Sequence, residues 1–437
     1  MQINHSLLRH NRWLFIGVLF LFCLTSCTDK NIYTFSTSQS VIVDTLEVKG
    51  IKLYLETSAS MRGYVNSNVA GTYPLKDVVP FIVTDLDNHF DVETKLITIS
   101  DRQKQFPYSK DRFFEQLRSG RIFTGKSSKL QNIFTDVISK TKRGEVSILI
   151  SDCIPDLGNI NTKTEGSKIT SHIYPVIKAN SSLGVAVFQF KSDFNGTYYY
   201  NRKNNNGVVQ SKRPYYKETL NNRPFYIWVF GEQALVTKVL STNIIKDYNA
   251  SHAYNISLSE MNAGLLEKHK SGKIAINTDK QTLLIKEIDA KRPAIFTIGI
   301  DGGKLSEVQQ EQLLDSKRYT IMPDHIAESL ELVVKDKATL LSEKIKDKSE
   351  IQNSKYTHFI QPTLNDFELE TTEFSINIFN KEPQWINKTS LDDDVGVSID
   401  ALEHKTFGFN FITYAFAKAY PATAPQIQFI LTKQKQD

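Results

Sequence analysis

Residues 51–64 read I-K-L-Y-L-E-T-S-A-S-M-R-G-Y, and the architecture of the chain turns on this stretch. Ile51 to Leu55 form an apolar run with β character, opened by Gly50, which predicts a buried strand. The run ends in Glu56-Thr57-Ser58-Ala59-Ser60, an acidic residue followed by two serines at alternating positions. At the carboxyl end of a sheet strand, that spacing turns one carboxylate and two hydroxyls toward a single point. Such hard oxygen donors suit Mg²⁺, which binds few protein groups and keeps several waters.

Downstream, strand and helix patterns alternate. Pro74–Phe90 has helical periodicity with Pro80 inside it, Lys95–Ser100 reads as a short strand, and Arg112–Arg118 and Leu130–Lys142 read as amphipathic helices. Val146–Ser151 is a buried-type strand leading into Asp152. A helix at Lys168–Ala179, strands at Gly184–Phe190 and Phe225–Phe230, and a helix at Glu232–Lys246 follow. This alternation predicts an α/β fold over residues 46–248, a Rossmann-like parallel sheet with helices on both faces. In such sheets ligands sit beyond the carboxyl ends of strands, where Glu56 and Asp152 both fall. From about residue 250 the pattern changes. Ala275–Asn277, Ala294–Ile300, Leu330–Lys335, Phe374–Phe379 and Gln426–Thr432 are strand-like, so 250–437 is expected to be β-rich and sandwich-like. Thr406–Tyr420 is read as a helix on its length.

Three segments resemble the metal-ion-dependent adhesion site of von Willebrand factor A domains. Glu56-Thr57-Ser58-Ala59-Ser60 stands where that family has D-x-S-x-S, with Glu in place of Asp. Thr124-Gly125-Lys126-Ser127-Ser128 precedes a helix where the family has G-T, so Ser127 or Ser128 offers a hydroxyl. Ser151-Asp152-Cys153 stands where the family has T-D-G, with Cys153 in place of Gly. The resemblance covers a little under half the chain. It implies a divalent cation, Mg²⁺ or another, held by Glu56, Ser58, Ser60, Ser127 or Ser128, and Asp152, with an open position for a carboxylate of a protein partner. Glu is one methylene longer than Asp, and an octahedral ion at about 2.1 Å tolerates little misplacement. The residues therefore also admit a reading without metal, in which Ser58 and Ser60 cap a turn and Glu56 makes a local ion pair.

Other motifs weigh less. Gly120-Arg121-Ile122-Phe123-Thr124-Gly125-Lys126-Ser127 matches G-x-x-x-x-G-K-[ST], but the residues before Gly120 are helical and charged. A phosphate loop follows a buried strand, so no nucleotide is expected. Residues 197–216 interleave tyrosines with cations around an Asn206-Gly207 turn signal. Tyr199, Arg202, Lys203 and Tyr215 are candidate partner contacts there, set against a hairpin whose tyrosines pack on their own domain. Asp392-Asp393-Asp394 lacks the spaced ligands of a calcium loop and reads as a solvated turn. The nine histidines show no metal-ligand spacing.

At the N-terminus, Arg9 and Arg12 precede a short apolar run, Trp13–Leu24, that closes in Leu24-Thr25-Ser26-Cys27. This resembles the lipobox of bacterial lipoproteins. It implies a signal peptide over 1–26, acylation of Cys27, attachment to the membrane through that lipid, and a polar tether over 27–45. Thr28 replaces the Asp that holds such proteins in the inner membrane, which points to the outer membrane of the cell envelope. Of the other two cysteines, Cys23 falls in the expected signal peptide, which leaves Cys153 without a partner for an intramolecular disulfide. The formal charge of +5 becomes +3 without Arg9 and Arg12, too small to recruit nucleic acid. The two resemblances together imply a lipid-anchored extracytoplasmic protein for binding, adhesion or envelope assembly. A metal-dependent hydrolase of phosphoesterase type and a metal-free scaffold are the alternatives.

Overall fold

The computed structural model describes residues 31–37, 46–66, 74–100, 102–125, 129–156, 162–180, 182–200, 215–256, 262–288, 291–302, 307–328, 330–344, 348–365, 371, 373–378, 382–419 and 427–434. Strand β1 (Asn31–Thr37) comes first, then β2 (Gly50–Glu56), α1 (Leu75–Phe90), β3 (Lys95–Ile99), β4 (Gln103–Gln105), α2 (Lys110–Arg118) and α3 (Leu130–Lys140). They are followed by β5 (Glu145–Ser151), α4 (Thr162–Lys178), β6 (Leu183–Tyr199), β7 (Tyr215–Glu232), α5 (Gln233–Ser241) and β8 (His252–Asn255).

Seven of these strands form one sheet in the order β4-β3-β2-β5-β7-β6-β8. Ile51, Leu53 and Leu55 of β2 alternate with Tyr54, as a two-sided strand requires. The first set packs with α1, α2 and α5, and Tyr54 packs with α3 and α4, so helices cover both faces. In α1, Leu75, Val78, Val79, Ile82, Val83 and Leu86 recur at helical spacing and are all buried, and the helix runs through Pro80.

The sheet is mixed, and the expectation of a parallel sheet holds only for its centre. β2 runs parallel to β3 and β5, whereas β4, β7, β6 and β8 join through antiparallel pairings. The cause is the connection between β6 and β7. A parallel return would have to travel back the length of β6, about 56 Å at roughly 3.3 Å per residue. The two strands instead pair end to end from Leu183↔Glu232 to Tyr199↔Tyr215, which makes them a hairpin.

The β-rich part contains two antiparallel sheets. One has the order Lys273–Asn277, Thr282–Glu287, β1, Ile427–Lys433, Glu373–Ile378, Tyr319–Met322. In the other, His358–Leu364 pairs with Ala294–Ile295, Ile298–Asp301 and Leu330–Asp336, and Asn262–Leu265 pairs with Ile298–Asp301. Tyr33, Leu283, Phe374 and Phe429 of the first and Leu265, Ile298 and Ile360 of the second share one apolar cluster.

Two boundaries fall elsewhere than the sequence reading puts them. Residues 31–37 belong to the expected tether, but Tyr33 and Phe35 are apolar at alternating positions. They seat β1 between Thr282–Glu287 and Ile427–Lys433. Residues 382–419 return to the α/β part. Helices α6 (Gln384–Lys388), α7 (Ile399–His404) and α8 (Phe409–Ala419) bury Ile386, Leu402, Phe409, Ile412 and Phe416 in its two clusters. The helix expected within Thr406–Tyr420 is α8.

Candidate functional site

Strands β2 and β5 are parallel neighbours in register from Gly50↔Glu145 to Leu55↔Ile150. Glu56 and Asp152 therefore leave the sheet at the same carboxyl rim, and each is only 1% exposed. The Ser151 hydroxyl donates to the Glu56 carboxylate and accepts the Cys153 N–H at 2.8 Å. The Ile154 N–H donates to Asp152 Oδ1 at 3.2 Å. Cys153 has φ +55°, in the left-handed region that glycine enters at least cost. The turn thus has a glycine-type backbone where the adhesion-site resemblance expects Gly, although a thiol occupies it.

The loop after β2 is fixed on both sides. The Thr57 N–H donates to the Ile99 carbonyl of β3 at 2.9 Å, and the Gly125 N–H donates to the Thr57 carbonyl at 2.9 Å. A Cβ at Gly125 would lie 2.7 Å from Ser100 Cβ and 2.9 Å from Thr57 O, so only glycine admits this approach. The second loop of the resemblance therefore reaches the first, while Ser127 and Ser128 lie outside the described residues. Ser58 is buried, and its Oγ is 3.1 Å from Ser60 Oγ. Beyond Ser60, a 3₁₀ turn (Ser60–Val65) rests on the hairpin, with Tyr64 donating to the Pro224 carbonyl at 2.7 Å.

The donor types are those a hard cation takes. Two carboxylates and two hydroxyls are all oxygen, and two oxygens on adjacent corners of an octahedron of about 2.1 Å radius lie about 3.0 Å apart. The Ser58–Ser60 spacing is close to that, and it equally suits one hydroxyl donating to the other. Among the described residues no three His, Cys, Asp or Glu side chains gather into a metal-holding group, so the hydroxyls are necessary to any such site.

Sequence reading missed the charge behind this rim. Arg223 on β7 is fully buried and donates to the carbonyls of Leu402 and Lys405, the latter at 2.7 Å. Its guanidinium lies 4.9 Å from the centre of the Tyr198 ring, and the Tyr198 hydroxyl donates to buried Asp394 at 3.0 Å. Burial pulls the Arg223 pKa down, but Tyr198, Tyr64 and the Asp152 carboxylate outweigh it and leave the group more firmly protonated than usual. Burial likewise raises the Tyr64 phenol and the Cys153 thiol, whose sulfur accepts the Trp228 indole N–H at 3.3 Å. Asp152 thus feels a permanent positive charge. The solvated-turn reading of residues 392–394 fails at Asp394, which Tyr198 draws into the core.

Two of the other sequence candidates lie on the β6–β7 hairpin. Tyr199 and Tyr215 are cross-strand partners with ring centres 5.7 Å apart, and Tyr215 is 65% exposed. Arg202 and Lys203 lie outside the described residues, as do Cys27 and the whole signal segment. No described helix is long and apolar enough to cross a membrane. The loop at Gly120 leaves helix α2, so a helix stands where a phosphate loop needs a strand.

Comparison of the chain with protein-family models, curated proteins and solved structures finds no match.

Proposed function

We propose that this chain is a lipid-anchored extracytoplasmic capture protein whose α/β part, read as von Willebrand factor A-like, engages a carboxylate on a protein partner through Mg²⁺ or another divalent cation. One observation carries the reading. Two buried carboxylates leave adjacent parallel strands at one rim, beside a loop whose two serine hydroxyls are spaced as cation ligands. Glu56, Ser58, Ser60 and Asp152, with Ser127 or Ser128, would hold the ion, which when bound supplies the open position for the partner. Thr57 and Gly125 keep the loop in place through their backbone bonds. The hairpin tyrosines Tyr199 and Tyr215, with Arg202 and Lys203, form a further partner contact, since Tyr and Arg carry interface energy well. The β-rich part, with two sheets on one core, is read as a sandwich that presents this rim from the outer membrane. The anchor itself rests on the lipobox resemblance at Leu24–Cys27.

The test is a calorimetric titration with Mn²⁺ as probe. The intact protein is expected to bind one ion, and Ser58→Ala with Ser60→Ala to weaken it at least tenfold without lowering the thermal midpoint. A wild-type protein that takes up no ion overturns the reading. A metal-free scaffold is the second reading, favoured by Arg223, whose buried charge already offsets Asp152.

A further inference from the structure

Buried charge in the α/β part is unevenly shared. Among its described residues Glu56, Asp152, Asp193 and Asp394 are buried acids, and Arg223 is the only buried Lys or Arg. The strands bring that one cation to Asp152. β5 and β7 pair antiparallel from Ser147↔Phe230 to Ser151↔Tyr226, and alternate residues of each take opposite faces. Ile148 and Ile150 share one apolar cluster with Phe225, Ile227 and Val229, whereas Leu149 and Cys153 share the other with Tyr226 and Trp228. Asp152 continues the first face along β5, and Arg223 continues it along β7, so the two charges leave the sheet on the same side. The Asp152 carboxylate is accordingly one of the groups that act on the guanidinium.

Arg223 cannot withdraw from this position. Its guanidinium donates to the carbonyls of Leu402 and Lys405 and lies over the Tyr198 ring, and an arginine keeps its proton inside a protein. Tyr64, on the turn that carries Ser60, donates to the carbonyl of the next residue, Pro224, which fixes that turn relative to the charge. With both rim carboxylates ionised as ligands, Glu56 and Asp152 against Arg223 leave a net charge of −1. A divalent ion would thus be taken up against a like charge that burial screens only weakly.

We infer that Arg223 determines the strength of the rim as a fixed counter-charge, keeping a divalent ion behind Asp152 weakly held and exchangeable. The inference rests on the capture reading above. Its test is calorimetric titration of Mn²⁺ into the intact wild-type protein, Arg223→Gln and Arg223→Lys, each first checked for a cooperative thermal transition. Gln removes the charge but keeps an amide N–H for the two carbonyls, whereas Lys keeps the charge and loses the guanidinium fork. Arg223→Gln is expected to bind Mn²⁺ at least tenfold tighter than wild type, and Arg223→Lys within threefold of it. Equal constants in Arg223→Gln and wild type, or the same change in both variants, overturn the inference and leave the capture reading standing. A wild-type protein that takes up no ion overturns the capture reading; uptake that then appears in Arg223→Gln alone upholds the counter-charge, and no uptake there overturns it as well. Where Arg223→Gln shows no cooperative transition, the wild-type constant decides: a value weaker than about 10 µM upholds the inference, and no uptake or a tighter value overturns it.

Discussion

Gly63 lies on the 3₁₀ turn that carries Ser60, and its missing side chain brings that turn against the hairpin. A Cβ there would meet the Phe194 ring at 2.2 Å, and one at Gly196 would meet Gly63 Cα at 2.6 Å. Overpacking of this kind costs about 1–3 kcal/mol. Gly63→Ala is therefore expected to lower the midpoint of thermal denaturation and, by moving Ser60, to weaken Mn²⁺ uptake; an unchanged midpoint would show that the turn is not held this tightly. Glu56 and Asp152 are legible in the sequence because each closes a short apolar strand, a local pattern. Gly63 stands in the same quoted stretch, but its role depends on Phe194 and Gly196, far along the chain. Cys153 shows the limit from the other side: its letter departs from the adhesion-site pattern, while its left-handed backbone does not.

Among the elements, the β6–β7 hairpin departs most from the sequence reading. Apolar runs at Gly184–Phe190 and Phe225–Phe230 read as strands of a parallel sheet because helices flank them. The Asn206-Gly207 signal between them is the better guide to direction. The hairpin also carries Arg223, which is not legible because its partners, the carbonyls of Leu402 and Lys405, come from the far end of the chain. It acts as a clamp that holds α7 onto β7. Removing one member of such a buried charged network typically costs about 3–5 kcal/mol. Arg223→Met is expected to destabilise by that order in urea denaturation and to increase proteolysis between residues 390 and 408. A loss under about 1 kcal/mol would show that apolar packing can replace the clamp.

At the scale of the molecule, the two parts are interleaved rather than sequential. The chain changes part between residues 37 and 46, 256 and 262, 378 and 382, and 419 and 427. The change of composition near residue 250 is visible in the sequence, but the pairing of Tyr33 with Lys433 is not, because nothing local marks which distant strand a strand will meet. The β-rich part also carries a pH response. Burial holds the imidazoles of His269 and His358 below the ordinary value of 6.5. A folded-state pKa below the unfolded one means that the unfolded chain takes up protons first. The stability these groups contribute is complete above 6.5 and is lost as pH falls through that value toward their folded-state values. Asp336, opposite His358 in the sheet, is held below its ordinary value of 3.8, chiefly by the Thr339 N–H, so its own loss comes only in stronger acid. The thermal midpoint is expected to drop between pH 7.5 and 5.5, and by less in His358→Gln. Equal midpoints at the two pH values would show that neither imidazole is held neutral.

The position of β1 bears on the proposed lipid anchor. If Cys27 carries the lipid, four residue steps separate the acylated residue from Asn31, a span of roughly 14 Å at full extension. That leash is about half the roughly 30 Å hydrocarbon thickness of a bilayer. The β-rich part would then sit directly on the lipid headgroups, as a footing rather than a balloon on a string, with its reach into the surroundings set by the folded body alone.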